Sequence, residues 1–386
     1  MCGWPKERET HMNESLKEKI EQFQRTLREQ SVDELMRFDV KDGEEDGIPY
    51  HKAYLEKTAE LMGDVFSQRE WGKLTPWEKL CCYKVSGGAG VDCDAALRSN
   101  VIYQLAFGGG GIEQYKDGHY VLKPLKDGMP ALRGDTMNSY ATTVRTYIRE
   151  IWLPEHKPEM GDEGKKIITE TGGGWKVSKT YREISKKNYW DAAILAEYDY
   201  FKDILPPAAG EFFRLKHTVG NFIAWPDGCN RPRGTGPVKD YWDLTLNCIH
   251  QWYQDNKNNK RLSLPKNDAL LELFGSKLVI FHNWLAAFGT WDEFVRKNYM
   301  QAFVWGEDGK EDGEKVPDGG HFGPPKELWG DHFDGRALPQ EPEHFEQFFA
   351  NASAWIAARG IRIAQAVKAA LAVKETEPEA VGAERG

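Results

Sequence analysis

The chain has 386 residues, a net charge of −9 and six cysteines without paired spacing. The negative charge argues against a general nucleic-acid surface, which needs cations to displace counterions. No apolar run reaches the roughly 18 residues of a membrane span, and no apolar stretch follows Met1-Cys2-Gly3-Trp4-Pro5 as a signal peptide would require. A soluble, cytoplasmic protein without a cysteine metal site is therefore expected. Its 14 tryptophans and 18 phenylalanines are expected to dominate the core.

In chain order, residues 1–13 read as a disordered tail. Residues 14–372 read as one large helical domain with possible subdivision near 86 and 240, and 373–386 as a second disordered tail. Asn13 caps a helix whose apolar face is Leu16, Ile20, Phe23 and Leu27. Ser31 and Glu34 form a capping box for a short second helix. Residues 50–66 read as helix, and Thr75-Pro76-Trp77-Glu78 is a further helix start. Between 86 and 135 glycines cluster, with Gly108 to Gly111 read as a turn, and short β-prone pieces such as Tyr120-Val121-Leu122 appear. Ser139 to Trp152 reads as helix, residues 166–181 as a β-hairpin around Gly172-Gly173-Gly174, and 188–203 as helix.

After residue 240 the pattern is helical. Thr245, Cys248, Ile249 and Trp252 form one stripe, and 268–274 and 277–288 read as further helices. Thr290-Trp291-Asp292-Glu293 is another capping box, and Trp284, Phe288, Trp291 and Phe294 are expected in the core. A long acidic, glycine-rich loop is expected over 306–340. The last helix spans about 342–372, with Gly360 set for close packing. The predicted fold class is α+β and predominantly α-helical, with a small antiparallel β element around 115–181.

Two polar segments interrupt this aromatic chain. One runs from His217 to Gly234 and concentrates His217, Asn221, Asn230, Arg231 and Arg233 around a Pro226-Asp227-Gly228 turn. The other is Arg133-Gly134-Asp135-Thr136-Met137-Asn138. Arginine forks suit carboxylate or phosphate, while Asp135, Asn138, Asn221 and Asn230 supply orienting groups. His217 is the natural proton carrier, because an unperturbed imidazole titrates near neutrality. Asp240 and Asp243, at the start of the helix after 240, read as capping and dipole-favouring acids rather than metal ligands.

The 217–234 segment, followed by Asp240-Tyr241-Trp242-Asp243-Leu244, resembles an uncharacterised bacterial family with a "GNF…P…N…RG" segment before a "DYWDL"-type helix. Arg133 to Ser139 looks like a second shared block. The resemblance implies a domain and no activity. Asp203-Ile204-Leu205-Pro206, Gly220-Asn221-Phe222 and Asn230 are also similar in part to HNH-type nucleases. That resemblance implies a ββα module over 200–235, with Asn221 holding the loop and Asn230 at the metal. It lacks the histidine that activates water, since Lys202-Asp203 stands in its place.

Three functions follow as expectations. The first is a pocket for a phosphate-bearing or nucleotide-like ligand lined by Arg133, Asp135, Asn138, Asn221, Asn230, Arg231 and Arg233, with His217 as catalytic residue. The second is a degenerate HNH-like module contacting nucleic acid. The third is a non-enzymatic protein-interaction module with its rings partly exposed. The cofactor is unknown, no membrane association is expected, and whether the chain is an enzyme is left open. The first expectation requires the 133–138 and 217–234 segments to meet in space.

Overall fold

The computed structural model describes residues 6–38, 44–45, 48–49, 97–108, 110–115, 120–124, 129–137, 143, 146–147, 151, 167–171, 174–179, 205–229, 241–256, 274–334 and 338–376. Among these the helices are α1 (Lys6–Glu29), α2 (Val32–Met36), α3 (Leu97–Phe107), α4 (Ala209–Leu215), α5 (Trp242–Asn256), α6 (Leu278–Ala286), α7 (Trp291–Lys297) and α8 (Pro342–Thr376). The strands are β1 (Glu44–Glu45), β2 (Ile48–Pro49), β3 (Ile112–Gln114), β4 (Tyr120–Leu122), β5 (Leu132–Thr136), β6 (Ile167–Thr171), β7 (Gly174–Lys179), β8 (Phe222–Pro226), β9 (Val304–Gly306) and β10 (Phe322–Pro325). The fold is α+β and mainly helical. None of the described helices is long and apolar enough to cross a membrane. The helices expected over 50–66, from Thr75 and over 188–203 lie outside the described residues, as do most of those over 139–152 and 268–274.

Local sequence signals set several boundaries. The Ser31 hydroxyl accepts the Glu34 amide at 3.2 Å, and the Glu34 carboxylate accepts the Ser31 amide at 2.7 Å, so α2 opens on the expected capping box. Thr290 accepts the Glu293 amide at 3.2 Å and starts α7. α1 begins at Lys6, ahead of the expected Asn13 start. Near residue 110 the chain doubles back, as the Gly110 amide donates to the Lys123 carbonyl and the Lys123 amide to that of Gly111. The hairpin expected over 166–181 forms as antiparallel β6–β7.

A four-stranded antiparallel sheet runs in the order β3-β4-β5-β8. All five residues of β8 are buried, and Trp225 on it is the hub of the aromatic core. Its ring lies 5.3 Å from Trp242 of α5, 4.9 Å from Phe281 and 5.1 Å from Trp284 of α6. Phe294 of α7 continues the cluster 5.6 Å from Trp284 and 5.7 Å from Trp291, as the aromatic stripe requires.

Much of the expected loop over 306–340 is instead built structure. β9 and β10 pair antiparallel, with Phe322 opposite Gly306 and Pro325 opposite Val304. A 3₁₀ turn at Gly313–Lys315 is tied to α8, where Arg362 grips Glu314 with Nε at 2.9 Å from one oxygen and Nη2 at 2.8 Å from the other. Glycines and acids read as loop in sequence because their ordering comes from these distant partners.

α8 is about 52 Å long at 1.5 Å per residue over 35 residues. Its buried stripe includes Phe345, Phe348, Phe349, Ala352, Ile356, Arg359, Ile363, Val367 and Leu371. It packs on α2, α3, α4 and the 3₁₀ turn Val219–Asn221. The last contact is backbone to backbone. A Cβ on Gly220 would stand 2.0 Å from the Ile356 carbonyl oxygen, whereas one on Gly360 would stand 2.9 Å from Met36 Cγ. A carbonyl in a helix cannot yield and a methionine side chain can. Gly220→Ala is therefore expected to cost more than Gly360→Ala, about 3 kcal/mol or more against about 1 kcal/mol. Urea unfolding of both variants measures the difference.

Candidate functional site

The two polar segments of the sequence meet as neighbouring strands. β5 and β8 pair antiparallel with Arg133 opposite Trp225, Asp135 opposite Ile223 and Thr136 opposite Phe222. The seam extends one residue further, where the Met137 amide donates to the Asn221 carbonyl at 2.7 Å. Arg133 and Asp135 are two residues apart on one strand and so share a face, and both are half-buried.

Upstream of β8, α4 ends at Leu215 and the chain turns through Lys216, His217 and Thr218, all buried. Asn221 holds this turn. Its side-chain amide donates to the Lys216 carbonyl at 2.8 Å, and the Thr218 hydroxyl donates to the Leu215 carbonyl at 2.7 Å. His217 is 1% exposed, so its ring is buried rather than on the surface. Asn138, Asn230, Arg231 and Arg233 lie outside the described residues. The element order from Ala209 to Pro226 is helix, 3₁₀ turn, strand, and β8 pairs with β5 rather than within a local hairpin. This differs from the ββα order that the HNH resemblance implies.

Downstream of β8, the Pro226-Asp227-Gly228 turn brings Gly228 to φ 78°, and the Cys229 amide closes it on the Pro226 carbonyl at 3.0 Å. Lys277 lies over this turn, with its ammonium 3.4 Å from where a Cβ on Gly228 would be. Burial pushes the Cys229 thiol up to about 12. The Lys277 charge opposes that shift, while Asp227 and Asp135 reinforce it. One cation and two acids thus act on the same buried atom at the end of the seam.

A second cluster was not legible in the sequence. Asp243, in the first turn of α5, is buried and accepts three hydrogen bonds. Its Oδ1 takes the Leu244 amide at 2.8 Å, and its Oδ2 takes the Leu328 amide at 2.9 Å and His332 Nδ1 at 2.5 Å. His332 is stacked on Trp329, centroids 3.4 Å apart, and meets Tyr241 edge-on at 5.3 Å. The Tyr241 hydroxyl pairs with the Thr143 hydroxyl at 2.9 Å. The sequence reading of Asp243 as an acid favouring the helix dipole captured its position and not its partner, which lies 89 residues away.

Residues 196–363 match a family model described as a family of unknown function (DUF6994). No curated protein and no solved structure matches the chain. The matched stretch contains α4 to α7, β8, the β9–β10 pair and most of α8, as well as Asp243 and His332. β5, with Arg133 and Asp135, precedes it. The match brings no activity, and nothing in it carries the HNH resemblance.

Among the described residues no group of three or more His, Cys, Asp or Glu side chains is placed to hold a metal ion. The buried thiol gives a direct check. At pH 8 the thiolate fraction of Cys229 is on the order of one in ten thousand, and only the thiolate is nucleophilic. Iodoacetamide is therefore expected to leave Cys229 unmodified in the native protein and to alkylate it in urea. Peptide mass spectrometry reads the outcome.

Proposed function

We propose that the β5–β8 seam and the turn after β8 bind a small phosphate-bearing or nucleotide-like ligand. The observation that carries this reading is the strand pairing itself, which sets Arg133 opposite Trp225 and Asp135 opposite Ile223, within the first polar segment of the sequence. In this reading Arg133 grips phosphate through its fork and Lys277 adds a point charge. Asp135 accepts from ligand hydroxyl or amino groups, which favours a nucleotide or sugar phosphate over bare phosphate. Arg231 and Arg233 complete the cationic set, with Asn138 and Asn230 orienting the ligand. Asn221, whose amide is already donated to Lys216, keeps the segment in place. His217 is proposed as its proton carrier.

The interaction-module reading has less support. Among the described residues the exposed large apolar side chains are Tyr115, Val279, Ile361 and Val373, with no tryptophan or phenylalanine among them. Those four residues lie on separate elements or far apart along one helix, so they suggest no continuous patch.

A thermal-shift screen with nucleotides, sugar phosphates and inorganic phosphate tests the ligand reading. A ligand at a hundred times its Kd stabilises by about 2.7 kcal/mol, which for a domain of this size raises Tm by a few degrees. The expected result is a rise with at least one organic phosphate that is lost in Arg133→Ala and in Arg231→Ala. The same rise in both variants, or none with any anion, removes the proposal.

A further inference from the structure

We propose that the His321–Asp292 hydrogen bond is a pH-operated clasp, which holds the β9–β10 hairpin on α7 while the imidazole carries a proton and loosens as that proton leaves. The proposal is independent of the anion site, since it uses none of its residues.

The start of α7 grips four consecutive residues at the entry to β10. Trp291 Nε1 donates to the Gly323 carbonyl at 2.9 Å. Asp292 Oδ1 accepts the Phe322 amide at 2.8 Å, and its Oδ2 accepts from His321 Nδ1 at 2.8 Å. One turn later the Arg296 guanidinium donates to the Gly320 carbonyl and lies over the Phe322 ring, 5.1 Å from its centre. Indole, backbone amide and guanidinium keep their protons through the neutral range, and imidazole does not. A protonated ring meets the carboxylate as an ion pair, whereas a neutral ring donates more weakly. Among these four grips, then, only the one at His321 responds to pH near neutrality.

Among the described residues three charged groups act on that ring. Asp292 of α7 favours the imidazolium most, through the hydrogen bond and then its charge, and Glu307, just beyond β9, favours it further. Arg296 of α7 opposes them, and the balance pushes His321 above the ordinary imidazole range. The sign follows. The contribution of a group raised in this way is fully present below the ordinary imidazole value of about 6.5 and is lost as pH rises through the raised one. The second imidazole at this junction does not compete. His250 of α5 lies 4.9 Å from the Trp291 ring, and burial pushes it below the ordinary range, so its neutral form prevails throughout the alkaline side. Residues 320–323 attach the hairpin to α7, so weakening one grip makes local opening easier without unfolding the core.

Hydrogen exchange of the native full chain, read by mass spectrometry on a peptide spanning residues 318–326, tests the clasp, with a peptide from residues 345–356 of α8 as control. After correction for the intrinsic pH dependence of exchange, the 318–326 amides are expected to lose about two- to fivefold in protection between about pH 6.5 and about pH 8.5, the scale of a partly exposed ion pair. The control peptide is expected to hold its protection. His321→Gln is expected to give a flat profile at the lower level, and because the His321 side chain is 64% exposed the replacement leaves the core intact. Asp292→Asn removes the other partner and is expected to give the same flat profile. Should one variant not fold, the other decides. A flat profile in the unaltered protein, or an unchanged slope in either variant, overturns the proposal.

Discussion

Arg359, at the middle of the last helix, is fully buried, and among the described residues no carboxylate pairs with it. Its Nη1 donates to the carbonyls of Gly220 at 2.9 Å and Phe222 at 2.7 Å, with Val219 at 3.4 Å, and its Nε donates to Asn298 at 3.0 Å. Phe107 lies under the guanidinium at 5.7 Å. Burial pushes this group down to about 9, which still leaves it charged at neutral pH. Isolated, such a charge would be very costly in an aromatic core. Carbonyl hydrogen bonds to it, each contributing about 1.5–3 kcal/mol, offset that cost. The arrangement forces three elements together, because the carbonyls it engages belong to the turn entering β8 and to the end of α7, and none to α8 itself.

That constraint explains the glycines. For Arg359 to reach carbonyls at 219, 220 and 222, α8 must approach the turn more closely than side chains allow. Gly220 supplies the missing space, and Gly360, next to the arginine, lies 3.6 Å from Gly220 Cα when measured from its own would-be Cβ. Once the turn is fixed, Phe222 enters the sheet in one register, and Asn221 meets Met137 across the seam. The alternation of the strand then places Trp225 among Trp242, Phe281 and Trp284. The position of Arg133 opposite Trp225 is thus set, through β8, by an arginine 137 residues beyond Phe222 in the chain.

The sequence was most readable where the decisive contacts are local. Ser31 with Glu34 and Thr290 with Glu293 lie within one helical turn, and each starts a helix where expected. Amphipathic spacing along 342–372 foretold nearly all of α8, because burial of Phe345 to Leu371 follows the helical period. The same logic fails where a residue's meaning depends on a remote partner. Lys326 reads as a loop cation, yet it is buried between an Ala302 carbonyl at 3.0 Å and Asp312 at 2.8 Å, beside the Trp305 and Trp355 rings. Asp243 satisfies every local rule for a first-turn acid, so nothing near it in sequence signals His332. Arg359 sits in an Ala-rich helix with nothing beside it to suggest that it is the most buried charge among the described residues.

Of the sequence-chosen residues, the polar segments were singled out for composition, and the structure gives that composition a cause. In residues 217–222 the Thr218 and Asn221 side chains bond the Leu215 and Lys216 carbonyls, and the carbonyls of Val219, Gly220 and Phe222 accept from Arg359 in place of water. Much of the hydrogen-bonding capacity of Asn221 and Thr218 is already engaged in that task. At the far end of the same strand, Lys277 lies over the turn at Gly228, and Lys277, Asp227 and Asp135 all act on the buried Cys229 thiol. Positioning groups work best when their own backbone cannot move, and the bonds from Arg359 fix the start of β8 in that way. The same division holds at Asp243, where two backbone amides anchor the carboxylate so that the imidazole beyond it points in one direction.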